Sequence, residues 1–180
     1  LLQAFVDRLA DAGASRFAVH ARKAWLDGLD PKQNRTIPPL QYDRVIALKR
    51  RRPELLIELN GGLETPDDCL DALQHCDGAM VGRAVYAHPL RWTAIDALIY
   101  GDPARSISAA GVVRGLLPHA ERHLQRGGRL WDLGRHLVHL VEGVPGARHW
   151  RRDLGQNAQR KGADLSVLDA AARQLEVAGL

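Results

Sequence analysis

The 180 residues are 46% hydrophobic and 26% charged, with 25 Lys+Arg against 21 Asp+Glu. That balance supports a packed core and excludes a disordered chain. No apolar run nears the ~20 residues that span a bilayer, and two cysteines are too few for a disulfide framework.

Leu2, Phe5, Val6 and Leu9 recur at helical spacing, and Gly13 can end that helix. Asp7, Arg8 and Asp11 make it amphipathic rather than a signal peptide. Residues 16–20 read as a short buried strand, followed by a polar, proline-containing loop over 21–39. A helix is expected over 40–52, ended by Pro53, and a second strand over 55–59, broken by Asn60-Gly61-Gly62. Thr65-Pro66-Asp67-Asp68 starts a helix: a hydroxyl cap, a proline in the first turn and acids at the positive end of the dipole. This helix runs to about Cys76, with Cys69 one heptad earlier, and both thiols read as reduced. Residues 78–81 form a third strand, ended by Gly82-Arg83.

The order α-β-α-β-α-β implies crossover connections and a parallel sheet. Beyond Pro89 only helices are expected, at about 90–99, 107–126, 130–142, 146–161 and 166–178. Glycines at 101, 127, 128, 143 and 162 separate them. The domains therefore read as 1–88, α/β, and 89–180, all-helical.

Two glycine turns follow consecutive strands, Asn60-Gly61-Gly62 and Gly82-Arg83. Glycine lets the backbone approach a ligand closely and turns N–H groups toward it. In (β/α)₈ barrels such loops hold phosphate, and Arg83 adds a charged fork. His20, at the end of the first strand, shares that sheet end and could meet a cofactor carbonyl or a substrate base. Lys32 and Arg35 sit in the long loop and could bind phosphates. From 114 to 161 there are ten Lys/Arg against four Asp/Glu. Within this stretch Arg148, Arg151 and Arg152 cluster within one helical turn after Pro145-Gly146, which suits a polyanion. Trp150 between them reads as core. His136, His139 and Glu142, or His119 and His123, have no metal-site order, so no metal is expected.

Val19-His20-Ala21-Arg22-Lys23-Ala24-Trp25-Leu26, Pro31-Lys32-Gln33-Asn34-Arg35 and Ile37-Pro38-Pro39-Leu40 resemble the A-type branch of the tRNA-dihydrouridine synthases. Leu59-Asn60-Gly61-Gly62 and Val81-Gly82-Arg83-Ala84 are similar to that family's flavin-phosphate turns. Pro145-Gly146-Ala147-Arg148 with Trp150-Arg151-Arg152 is similar to its helical domain. The resemblance implies the last three β/α units of a TIM barrel followed by a helical tRNA-binding domain. It implies FMN as cofactor, NADPH as reductant and a uridine of the tRNA D-loop as substrate, in a cytoplasmic, monomeric enzyme without a metal.

By the same resemblance His20, Asn60, Gly61, Gly62, Gly82 and Arg83 bind the flavin, and Lys32, Arg35, Arg148 and Arg151 meet tRNA. The family's proton donor, a cysteine in an Asn-x-x-Cys-Pro loop, has no counterpart here. Neither has its flavin-contacting lysine upstream of His20. The chain is therefore expected to be a C-terminal portion without the catalytic acid, and inactive alone. A non-catalytic RNA-binding module derived from such a barrel is the alternative. A flavin barrel reductase of small molecules is a third reading, one that leaves Arg148 and Arg151 without a role.

Overall fold

The computed structural model describes residues 1–144 and 146–180. Pro145, read above as part of a helix start, lies outside the described residues. The chain divides into two compact units, Leu1–Gly82 and Arg83–Leu180. Residues 83–88, expected with the first domain, group with the helical unit.

The first unit runs α1 (Leu2–Asp11), β1 (Arg16–His20), α2 (Tyr42–Arg51), β2 (Leu56–Asn60), α3 (Pro66–Leu73) and β3 (Gly78–Met80). A 3₁₀ turn, Gln33–Arg35, interrupts the long loop. The strands lie in the order β1-β2-β3, each parallel to its neighbour. One sheet face is apolar: Ile57 and Leu59 are buried with Val45 and Leu48 of α2 and Val6 of α1. Lys49 fastens α2 to the sheet. Its ammonium donates to the carbonyls of Pro53 and Leu55 at 2.9 Å each and pairs with Asp77 at 2.7 Å. All three of its donors are thereby satisfied.

Thr65 caps α3 in a full capping box, its hydroxyl accepting from the Asp68 amide while the Asp68 carboxylate accepts from the Thr65 amide. The helix stops at Leu73, so Cys76 falls in the turn before β3 rather than on the helix as expected. Both thiols are free and buried, and burial raises both above the ordinary thiol range. Thiols in that state are weak nucleophiles.

The second unit contains α4 (Arg83–Ala87), a 3₁₀ turn (Pro89–Trp92), α5 (Ile95–Tyr100), α6 (Ala109–Gln125), α7 (Leu130–Leu137), α8 (Ala147–Ala158) and α9 (Leu165–Val177). The single helix expected over 90–99 is thus a 3₁₀ turn plus a short helix, and α4 was not anticipated. Ser108 and Asp164 cap α6 and α9 through the amides of Gly111 and Ser166. Helices α6 and α9 pack closely because alanines line both: Ala109, Ala110 and Ala120 on one, Ala171 and Ala172 on the other. Arg114 of α6 staples the pair at its rim, bonding Asp169 and, at 2.9 Å, Glu176.

Candidate functional site

Alternation along the strands gives the second sheet face a mixed character, with Arg16, His20, Glu58 and Asn60 beside the exposed Leu56 and Met80. Register places His20 beside Asn60, and Asn60 beside Met80. One layer below lie Ala18, Glu58 and Gly78. Arg16 reaches Glu58 from the layer beneath, its Nε donating at 2.8 Å. A Cβ on Gly78 would meet Glu58 Cγ at 2.8 Å, so the glycine makes room for that carboxylate.

At the carboxyl end of this face the side chains form a chain of hydrogen bonds. Asn60 Nδ2 donates to the Met80 carbonyl at 2.6 Å, which leaves Asn60 Oδ1 as acceptor, 2.7 Å from His20 Nδ1. His20 Nδ1 must therefore carry a proton. In the neutral ring Nε2 is then an acceptor, and only the protonated ring donates from it.

Both glycines after Asn60 have positive φ, 105° at Gly61 and 73° at Gly62, a region that β-carbon sterics close to most residues. The space beside them is also filled. A Cβ on Gly61 would come within 2.8 Å of the His20 ring, and one on Gly62 within 2.5 Å of Leu40 Cδ1 and 2.9 Å of the Tyr42 hydroxyl. Tyr42 donates to the Gly61 carbonyl at 2.8 Å. Burial, with the nearby charges of Asp68 and Glu64, holds the Tyr42 hydroxyl above the ordinary phenol range, although Arg22 opposes the shift. Sequence reasoning missed Tyr42. Its contact spans nineteen positions, and no local pattern announces it.

Gly82 lacks such constraints: its φ is ordinary and nothing lies within 4 Å of where a Cβ would stand. It is the last residue of the first unit, and Arg83 opens α4 in the second.

The long loop holds itself in shape. Asn34 Oδ1 accepts from the Trp25 amide at 2.7 Å and its Nδ2 donates to the Trp25 carbonyl at 2.8 Å. Asp30 accepts from the amides of Lys32 and Gln33. Arg22 Nε donates to the Pro38 carbonyl at 2.8 Å, whereas its Nη1 is buried without a hydrogen-bond partner. Beside these residues lies an open cleft of about 440 Å³, lined by His20, Arg22, Trp25, Leu29, Asn34 and Arg35. Lys32 is exposed, and its ammonium has no partner among the described residues.

In the second unit, Ala147, Trp150, Leu154 and Ala158 are the buried face of α8. Trp150 packs into the core, as expected, and its indole N–H donates to the Leu137 carbonyl at 2.9 Å. That bond satisfies an orphan group at the end of α7. The opposite face of α8 exposes Arg148, Arg151 and Arg152. Arg152 bonds Asp153 and His149, while Arg148 and Arg151 have no ion pair among the described residues. His136 contacts the Tyr86 hydroxyl at 3.0 Å and His139 lies 3.3 Å from Glu142. Among the described residues no three metal-ligating side chains converge.

A three-stranded parallel sheet with a Gly-Gly turn at its carboxyl end, followed by a helical unit with an arginine-bearing helix face, defines an α/β protein with a separate helical unit. The family model described as Dihydrouridine synthase (Dus) matches residues 2–176, and the chain belongs to that family. It is 45% identical over 172 residues to a tRNA-dihydrouridine(20/20a) synthase of Shewanella oneidensis, covering 96% of this chain and 51% of that protein. Proteins of the same name from Salmonella typhimurium and Yersinia pestis are 45% and 42% identical over 168 residues, 93% of this chain and 51% and 49% of theirs. The chain thus spans about half the length of the curated relatives it matches.

Proposed function

We propose that these residues form the flavin-phosphate side and part of the tRNA grip of an enzyme that reduces uridine to 5,6-dihydrouridine in the D-loop of tRNA, with FMN as cofactor and NADPH as reductant. The cradle at Asn60-Gly61-Gly62 carries this reading: two positive-φ glycines press against His20, Leu40 and Tyr42, where any side chain would collide. Such a backbone fits a phosphate-bearing flavin, because its amides can face the anion without a β-carbon in the way. The relatives' names supply the reaction and the substrate.

In this reading the three parallel strands are consecutive strands of a (β/α)₈ barrel, and residues 89–180 are its helical tRNA-binding domain. His20, Asn60, Gly61 and Gly62 hold the flavin, and Gly82 and Arg83 hold its phosphate. When bound, the reduced flavin supplies the hydride. His20, oriented by Asn60, offers Nε2 to the cofactor or to the uracil. Lys32, Arg35, Arg148 and Arg151 meet the tRNA backbone. The enzyme works as a monomer in the cytoplasm, where its substrate is.

No residue of the chain is assigned as the proton donor, since both thiols are buried and neither is a good acid at neutral pH. The 180 residues incubated with FMN, NADPH and unmodified tRNA should therefore yield no dihydrouridine, and product formation would overturn this assignment. The full-length protein should bind FMN and form dihydrouridine. The unpaired Arg148 and Arg151 also suit a purely RNA-binding role. Salt-sensitive tRNA binding by a full-length protein that takes up no flavin would favour that second reading.

A further inference from the structure

We propose that Tyr42 is a positioning residue for the cofactor cradle, setting the direction in which the Gly62 amide faces the phosphate end of the flavin. The proposal rests on the flavin reading of the Asn60-Gly61-Gly62 turn.

A Gly-Gly peptide in a turn is unusually free to rotate, because neither residue has a β-carbon to restrict it. A cradle whose amides swing cannot hold an anion in one place. Something outside the turn must select one peptide orientation, and Tyr42 is placed to do so. As the first residue of α2 it is fixed by the helix, and its hydroxyl donates to the Gly61 carbonyl at 2.8 Å.

The peptide linking Gly61 and Gly62 is planar and trans, so its C=O and N–H point in opposite directions. Holding the carbonyl on Tyr42 turns the Gly62 N–H away from α2. No described residue accepts a hydrogen bond from that amide. Leu40 Cδ1 and the Tyr42 oxygen meanwhile close the space on the Cα side of Gly62. The hydroxyl stays a donor throughout the physiological range, because burial beside Asp68 and Glu64 keeps it protonated.

The test is Tyr42→Phe in the full-length protein, which keeps the ring and removes the donor. FMN affinity should fall roughly ten-fold, the loss of about one hydrogen bond to an ordered peptide. Riboflavin, which lacks the phosphate, should bind the variant and the wild type alike, and the melting temperature without flavin should fall only by the few degrees that one hydrogen bond lost from the Gly61 carbonyl brings. Equal losses for FMN and riboflavin, or a larger fall in melting temperature that accounts for the FMN loss, would reduce Tyr42 to a structural role and overturn the proposal. Unchanged FMN binding in the variant, with a wild type that binds FMN, overturns the role of Tyr42 alone. A wild type that binds no FMN overturns the flavin reading and this inference together.

Discussion

The two units handle their candidate ligands in opposite ways. The first offers backbone: a Gly-Gly turn, pressed by His20, Leu40 and Tyr42, whose amides are the proposed binding groups. The second works through side chains: Arg148 and Arg151 stand on the outer face of α8 while Trp150 and Leu154 anchor the inner face. A backbone site depends on every neighbour that shapes it, so single atoms matter there. An arginine face on a well-anchored helix is more tolerant, because replacing one side chain leaves the backbone and the other guanidinium in place.

That contrast can be broken in several places. The largest effect is expected at the anchor of α8. Trp150→Ala should destabilise the protein by about 3–5 kcal/mol, as truncation of a buried aromatic does, and should show as a loss of urea resistance. Trp150→Phe, which keeps most of the volume and strands the Leu137 carbonyl, should cost only about 1–3 kcal/mol.

Next comes Gly62→Ala. Its positive φ of 73° and the collision with Leu40 and Tyr42 predict a destabilisation. Left-handed backbone alone accounts for about 1–2 kcal/mol of it. Flavin binding, read by fluorescence quenching, should disappear with it. Gly82→Ala, with ordinary φ and open space, should leave stability unchanged. Equal effects at the two glycines would remove the distinction between a built cradle and a simple turn.

Arg148→Ala and Arg151→Ala should leave melting unchanged and weaken tRNA binding. Each should lower the slope of log affinity against log salt by about one. A loss of stability instead would mean that this face is structural after all.

The smallest effect is expected at the cap of α3. Asp68→Ala should cost about 1 kcal/mol. The amide of Glu64, followed by the amide and hydroxyl of Thr65, holds the Asp68 carboxyl below its ordinary value of 3.8. Its stabilising contribution is therefore complete above that pH and is lost as pH falls through the lower value of the folded protein. The difference in stability between wild type and Asp68→Ala should shrink on acidification below about pH 4. A difference that persists at pH 2 would sink the capping account.

Much was legible along the chain where the signal is local. Thr65-Pro66-Asp67-Asp68 is a helix start by its own chemistry, and the capping box is there. Residues 16–20 read as a buried strand and form a strand, though none of its residues is buried, and the second strand ends at Asn60, just before Gly61-Gly62. Where competing local signals sit close together the reading slipped. α4 lies between Gly82 and Pro89, where no helix is expected from the sequence. α3 stops at Leu73, short of Cys76.

The sequence by itself determined the alternation of strands and helices, the glycines that can adopt positive φ, and the membership in a family. Each of these is written in neighbouring residues or in ordered motifs. Only the tertiary structure decided which groups meet. Parallel register sets His20 against Asn60 and opens space at Gly78 for Glu58. The packing of α2 brings the Tyr42 hydroxyl to a carbonyl far along the chain. A hydrogen bond across a fold depends on distances that no local pattern encodes. The glycine turn could therefore be found from the sequence, while the Tyr42 side chain that bonds it could not.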